Sequence, residues 1–423
     1  VDSARSGTIP ELAPDAFLRW RESGAETVDL LAQARRLGPV SAFRIGERPV
    51  VLATGPQAVQ EVLARCPERY VKRSHRARVL LGDGLLAAAG EQWRRQRRVL
   101  QPHFTGRAVH HYEQLMHDCA EETARRWAAT AARKTPRRLD ADLQHYSLDV
   151  IWRAATGRPL DDATHRALRV ASDVLAALPA LAPANSPQPD LTAQVDEVDA
   201  IVEPLIAAAR TDPAPGLLRV LFDSADQQPL YTDRLIRDEL VTLLTAGYET
   251  TATTLGWLFL LLHQHPEQRT WALAAGPAGS PARTEAIRAL VSETLRLYPT
   301  AWLLPRYAAE DGTLGGHRVL AGTTILICPY LTHRDPDIWP EPDRFLPQRF
   351  LDPHRRTPPG AYYPFGIGPR ACLGAQFAVR EITILLERLL PAFTAAFPDI
   401  PGQRFGVTIQ PDRELTATIT TTT

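Results

Sequence analysis

The longest regular pattern in the chain runs from Thr232 to His265, where apolar residues recur at helical spacing until Pro266 stops them. At ~1.5 Å per residue such a helix reaches roughly 50 Å, enough to cross a large domain, so the remaining segments must pack around it. Its stretch Val241 to Leu262 has the length of a membrane span. Glu249, two glycines and a run of threonines fall inside that window, and a carboxylate at mid-membrane is costly. A long buried helix in a soluble core is therefore expected. No Gly/Ser linker, charge block or repeat divides the 423 residues, so one α-rich domain over residues 1–423 is preferred to several.

Shorter signals flank this helix. One or two amphipathic helices are expected over Phe17 to Leu37, ending at Gly38-Pro39, and a β-hairpin over Val40 to Ile45 and Pro49 to Ala53. Helical patterns follow at Gln57 to Arg65, Glu91 to Leu100, Ala108 to Ala132, Leu143 to Thr156, Ala163 to Leu178, Thr284 to Tyr298 and after Cys372. Val71 to Gly90 and the proline-rich Pro179 to Asp190 read as loops. Weak strands are expected at 317–320, 323–328 and 415–420, so the β-containing part is small: about 40–55, 316–330 and 405–420. Acidic and basic residues balance at 48 each, which argues against a nucleic-acid binder. Cys66, Cys119, Cys328 and Cys372 are scattered without C-x-x-C spacing, as suits a reducing cytoplasm. Residues Val1 to Pro10 show neither an apolar core nor a positive leader, so no signal peptide or anchor is expected.

The most informative loop is Phe365-Gly366-Ile367-Gly368-Pro369-Arg370-Ala371-Cys372-Leu373-Gly374. An isolated cysteine at a helix start is often only a buried structural residue. Here Gly366 and Gly368 permit tight backbone and close approach to a flat object. The following helix N-terminus favours a thiolate, and Arg370 adds a fixed cation two residues away. One thiolate, surrounding amides and an anion-binding arginine are what axial ligation of a haem requires. The loop resembles the cytochrome P450 family, whose F-x-x-G-x-R-x-C-x-G signature it matches at every fixed position, and the resemblance extends over nearly the whole chain. It implies an α-rich fold with small β-sheets, a long central helix over the haem, and haem b (iron protoporphyrin IX) held by Cys372, with Phe365, Gly366 and Gly374 around it.

Trp93 and Arg97 are four apart and share a helix face. In isolation they, with Arg94, Arg95 and Arg98, describe a solvated basic helix; in the family a W-x-x-x-R pair reaches the haem propionates. Arg306, after Pro305, matches the family's propionate-binding arginine. With Arg97 and Arg370 it gives three permanently charged cations for two carboxylates. The centre of the long helix reads Ala246-Gly247-Tyr248-Glu249-Thr250-Thr251. Gly247 costs about 1 kcal/mol in a helix interior, and a small pair with a distorted turn would admit a ligand there; a kink with a satisfied polar pair is the alternative. The family places this acid–threonine pair over the iron, where Glu249 and Thr250 would relay protons for the activation of O2. Glu293 and Arg296 are spaced to pair on a helix, as are Glu91/Arg94, Glu122/Arg125, Glu285/Arg288 and Glu341/Arg344. In the family the pair corresponding to Glu293/Arg296 joins an arginine from a P-x-R-F segment, here Arg349, in a structural charge network. Gln348 stands where the family usually has an acid.

The resemblance draws the substrate pocket from residues 79–86, 174–178, 243–250 and 300–304 and the Phe405 turn. Its candidates are Leu80, Leu81, Leu86, Leu244, Ala301, Trp302, Leu303 and Phe405, although any of them could be core. Arg76 and Arg78 could serve an acid. A mostly hydrocarbon substrate, terpenoid-like before fatty acid or polyketide, is expected. The chain is too short for a fused reductase, so electrons would come from NAD(P)H indirectly, through a separate ferredoxin and ferredoxin reductase, with an acidic ferredoxin docking near Arg94, Arg95 and Arg98. A monomer free of membrane and nucleic acid is expected. A peroxide-driven peroxygenase or isomerase is the second enzyme reading. A catalytically silent, partner-binding relative would be expected to lose the cysteine loop or the acid–threonine pair, and both are present.

Overall fold

The long helix forms as Asp233–Gln264, one unbroken α-helix capped by Thr232, whose hydroxyl accepts the Leu235 amide. Pro266 ends it and opens a separate helix, Pro266–Ala274. The computed structural model describes residues 7–72, 78–133, 135–161, 164–166, 168–169, 190–211, 215–227 and 231–422. The long helix is buried almost throughout, chiefly against the helices Leu139–Thr156 and Pro281–Leu297. Gly247 marks a close approach, since a Cβ there would meet the Ile151 side chain at 2.9 Å. Helix packing therefore accounts for the glycine. The distorted turn expected at this point is absent. The Thr250 hydroxyl donates to the Ala246 carbonyl at 3.0 Å, and Thr251 Oγ1 lies 3.3 Å from the Gly247 carbonyl, reinforcing the turn from outside.

Strands are short. β1 (Val40–Ile45) and β2 (Arg48–Ala53) make the expected hairpin. β3 (Tyr70–Val71), β4 (Arg137–Arg138), β5 (Leu304–Ala308), β6 (Gly312–Leu314), β7 (His317–Val319) and β8 (Thr324–Ile327) follow. The last are β9 (Phe393–Ala396), β10 (Gln403–Phe405), β11 (Ile409–Pro411) and β12 (Thr416–Thr421). The largest sheet has the order β1-β2-β8-β5-β3, with β2 parallel to β8 and β5 antiparallel to it. β5 carries Arg306 and was hidden in the sequence because Pro305 interrupts its pattern. β10 and β11 pair as a hairpin beside the long helix.

Most helices fall near their expected places, with local differences. Gly24, at φ 68°, divides the first amphipathic stretch into Ala16–Ser23 and Thr27–Arg35. The pattern over 57–65 becomes a short α-helix, Pro56–Gln60, followed by a π-helical turn, Glu61–Arg65. A helical turn, Arg78–Leu81, interrupts the expected loop over 71–90. Helices Thr192–Thr211, with Pro204 inside it, and Leu217–Gln227 were not foreseen. The expected helix over 163–178 and the loop over 179–190 fall largely outside the described residues. The architecture is α-rich with small sheets. One core surrounds the long helix; a smaller one lies between the largest sheet and residues 58–63.

Candidate active site

The cysteine loop closes on itself: the Cys372 amide donates to the Phe365 carbonyl at 2.7 Å. Gly366 and Gly368 adopt φ of 69° and 74°, which side chains rarely tolerate. Gly368 is also sterically required, since a Cβ would lie 2.0 Å from the Leu63 carbonyl of the π-helical turn. The direction a Cβ would take at Gly368 thus faces protein, a close approach the sequence did not show. Gly374, the N-cap of the helix Ala375–Leu389, is the reverse case: a Cβ there would meet nothing within 4 Å.

Cys372 is solvent-accessible, yet burial is the largest influence on its thiol. Those facts together describe a residue on the wall of a recess, enclosed by protein but open on one side. Burial raises the thiol above its usual range, against the Gly374 amide and the Arg97 charge, which both favour thiolate. Burial thus outweighs the Gly374 amide and the Arg97 charge at the sulfur. A metal bound there would deprotonate it outright.

A cluster of cations gathers at the loop, to which Arg370 itself belongs. Arg97 donates to the Ala371 carbonyl at 2.9 Å and to Gln101 at 3.0 Å. Arg370 donates to the Ala88 carbonyl at 2.9 Å and stacks over the Trp93 ring at 3.9 Å. Arg306, almost fully buried, donates to the Pro305 carbonyl. Lys72, which sequence reasoning passed over, joins them and donates to the Leu86 carbonyl at 3.0 Å. Burial, then the charges of Arg306 and Arg370, push its ammonium down to about 7. Burial lowers Arg306 to about 10; burial and its arginine neighbours lower Arg370 to about 10. Among the described residues none of the four is ion-paired with a carboxylate. Such a cluster calls for an anion carrying more than one charge. Composition held a signal for Lys72: it is one of only two lysines in an arginine-rich chain.

On the long helix, burial lapses where the recess would need it to. Residues 235–245 are buried, Ala246 is exposed, and Gly247, Glu249 and Thr250 are half-buried. Thr250 and Glu249 diverge. Thr250 back-bonds to Ala246, whereas Glu249 Oε1 accepts from Thr408 Oγ1 at 2.8 Å and Gln410 Nε2 at 2.6 Å. Neither Thr408 nor Gln410 had a sequence signal.

The charge network is complete. Arg296 grips Glu293 through two 2.8 Å bonds, and Arg349 Nε reaches Glu293 Oε1 at 3.0 Å. Arg296 also donates to the His333, Pro342 and Arg344 carbonyls, binding the segment before the cysteine loop. Gln348, in place of an acid, bonds Gln268 at 2.7 Å. By contrast Glu91/Arg94 and Glu341/Arg344 are exposed pairs, and Glu122 meets Arg153.

Of the pocket candidates, Leu80, Leu81, Leu244 and Trp302 have no accessible surface and belong to the core. Leu86 is 40% exposed, Ala301 and Leu303 are half-buried, and Phe405 packs edge-on against Trp302 and Tyr330. Arg78 is ion-paired with Asp83 at 3.0 Å. Arg76 and residues 174–178 lie outside the described residues.

Glu381, on the helix after Cys372, is a buried acid that the sequence did not flag. Its Oε1 lies 2.6 Å from Thr251 Oγ1, and burial pushes its carboxyl from 4.5 up to about 8. A folded value above the unfolded one gives stability that is complete below about 4.5 and lost as pH rises through about 8. Glu381→Gln is expected to flatten that alkaline loss: thermal midpoints should match the parent near pH 5 and exceed it near pH 9, measured by circular dichroism.

The family model described as cytochrome P450 matches residues 18–270 and 283–410. The chain belongs to the cytochrome P450 family. It is 32% identical to the cyclooctatin synthase of Streptomyces melanosporofaciens, covering 97% of this chain and 93% of that protein. It is 29% identical to the cyclooctat-9-en-7-ol 5-monooxygenase of the same organism, covering 90% of this chain and 87% of that one. Among solved structures, CYP175A1 from Thermus thermophillus superposes with a TM-score of 0.77 at 30% identity, covering 97% of this chain and all of that one. A cytochrome P450DA mutant heme domain superposes at 0.84 with 25% identity, covering 99% and 98%. A P450 monooxygenase follows, and the family implies a haem with a cysteine thiolate and O2 as co-substrate.

The residues fit such a group. The open Cβ position at Gly374 and the exposed Ala246 offer two unencumbered faces. The four cations suit the two propionates, and a single cysteine can be the protein's iron ligand when a macrocycle brings the equatorial nitrogens. Among the described residues no group of three His, Cys, Asp or Glu is placed to hold a bare ion, and none of the helices is long and apolar enough to cross a membrane.

Proposed function

We propose that Cys372 would hold the iron of haem b through its thiolate and that the enzyme hydroxylates or epoxidises a mostly apolar, terpenoid-like molecule. The observation that carries this reading is the enclosed yet accessible Cys372 beside four clustered cations, none of which is ion-paired with a carboxylate among the described residues. Arg97, Arg306, Arg370 and Lys72 would hold the propionates, with Trp93 supporting Arg370. Phe365, Gly366 and Gly374 would hold the group beside Cys372, and Ala246 with the Gly247 backbone would line the oxygen side. When bound, the haem supplies the redox chemistry that transfers one oxygen atom of O2 to a C–H or C=C bond. For hydroxylation the balance is substrate C–H plus O2, two electrons and two protons, giving the alcohol and water. Thr250 holds a proton donor on the oxygen side, and Glu249 passes protons from solvent. Glu293, Arg296 and Arg349 keep the proximal segment in place.

Two relatives with terpenoid-related names support the substrate class. Fatty acids and polyketides are the competing substrates. Electrons reach the enzyme from NAD(P)H through a separate ferredoxin and its reductase. The exposed Arg98 and the loosely paired Arg94 and Arg95 suit an acidic docking face. We infer a single-domain monomer working in the cytoplasm, consistent with four free cysteines.

Reconstitution tests this proposal. Product should form with NADPH, ferredoxin and reductase, and poorly with hydrogen peroxide alone. Thr250→Ala is expected to keep NADPH consumption while most electrons leave as hydrogen peroxide. Cyclic terpenoid alcohols should produce a low-spin to high-spin absorption change. Peroxide-driven turnover that equals the NADPH-driven rate would overturn the reductive reading; spin shifts confined to fatty acids would overturn the substrate class.

A further inference from the structure

Glu249 does not stand free on the long helix. Its Oε1 takes two donors from the β10–β11 hairpin: the Thr408 hydroxyl from the turn and the Gln410 amide from β11. The orientation of that amide is dictated by its surroundings. Gln410 Oε1 accepts from the Arg404 guanidinium on the opposite strand, so its NH2 must face Glu249. Thr408 is buried and Arg404 exposed, so the Gln410 amide joins the acid to a surface guanidinium.

The hairpin itself is firmly placed. Trp257 donates to the Ile409 carbonyl at 3.2 Å, the Ile409 amide donates to the Thr300 carbonyl, and Trp302 donates to the Gly406 carbonyl at 2.8 Å. The same turn carries Phe405, whose ring meets Trp302 and Tyr330. A hairpin so anchored acts as a rigid support rather than a loose cover. What it supports is the one carboxylate of the acid–threonine pair.

We propose that Thr408 and Gln410 are positioning residues that clasp the Glu249 carboxylate and thereby set how efficiently protons reach the oxygen side. This rests on the proposed role of Glu249 as a proton relay. Each turnover needs two protons for its two electrons. When the acid is misplaced, the same electrons and O2, with two protons drawn from elsewhere, leave as hydrogen peroxide instead of reaching substrate.

The test uses the haem-loaded enzyme with its reductant chain and compares Thr408→Val, which removes the hydroxyl but keeps the shape, with Thr408→Ser, which keeps it. Gln410→Met removes the amide at similar length. Product formed per NADPH should fall about tenfold or more in Thr408→Val/Gln410→Met, the scale expected for losing even one hydrogen bond to a charged group. Hydrogen peroxide should rise to match, with substrate dissociation constant and thermal midpoint little changed. Thr408→Ser should restore coupling. A second readout needs no turnover: the infrared carboxylate band assigned to Glu249 by its loss in Glu249→Gln should shift in Thr408→Val and return in Thr408→Ser. If the double variant does not fold, Thr408→Val alone decides. Coupling and a carboxylate band identical to the parent, in an enzyme that Glu249→Gln does uncouple, would overturn the clasp alone. If Glu249→Gln leaves coupling intact, the relay and the clasp both fall.

Discussion

Glu293→Ala is expected to be the most damaging substitution outside the cysteine loop. Glu293 and Arg296 have no accessible surface, and Arg349 is 9% exposed. Removing the acid strands two guanidiniums in the interior and also strips the acceptor from the Leu346 amide, which bonds Glu293 Oε1 at 2.9 Å. Breaking one partner of a buried pair costs roughly 3–5 kcal/mol, against a total stability on the order of 5–15 kcal/mol. The variant should appear mainly as insoluble or haem-free protein, with a sharply lowered thermal midpoint in whatever folds. Glu91→Ala is the matched control: the same three-residue spacing to an arginine, but on an exposed helix where Arg94 and Arg95 lie at 3.3 and 3.4 Å. It should leave the midpoint nearly unchanged. Equal, small effects from both substitutions would contradict the burial argument.

The features legible in the sequence were those written in short-range pattern. The long helix announced itself by period and by Pro266, and the loop 365–374 by residues adjacent in the chain. The triad Glu293, Arg296 and Arg349 was legible only because a family motif joins distant segments; its geometry then came together across 56 residues. Chance spacing produced four similar pairs, none of which forms such a network. What stayed hidden depends on which surfaces meet. Gly247 was read as room for a ligand, but its tight neighbour is Ile151, almost a hundred residues away. Gly368 likewise has a tight neighbour, Leu63, that no local pattern announces. The partners of Glu249 lie about 160 residues downstream on a hairpin whose sequence carries no marker. Apolar side chains gave the least. Leu80 and Leu244 are core and Leu86 is exposed, and nothing in three leucines distinguishes those fates before the chain folds.

Cys372→Ala is expected to have the largest effect on chemistry, because it removes the only protein atom proposed to bond the iron. Sγ sits in a loop whose closure depends on the backbone, through the Cys372 amide and the Phe365 carbonyl. The alanine variant should therefore keep the fold and the cation cluster while losing monooxygenase activity altogether. Its residual haem, held by Arg97, Arg306, Arg370 and Lys72 alone, should bind weakly. The decisive measurement is the absorption spectrum of the dithionite-reduced, carbon-monoxide-bound protein. A thiolate donates electron density to the iron, so the parent should show a strongly red-shifted Soret band that Cys372→Ala abolishes. An ordinary histidine-type Soret band in the parent, or a red-shifted band that survives in Cys372→Ala, would contradict the assignment.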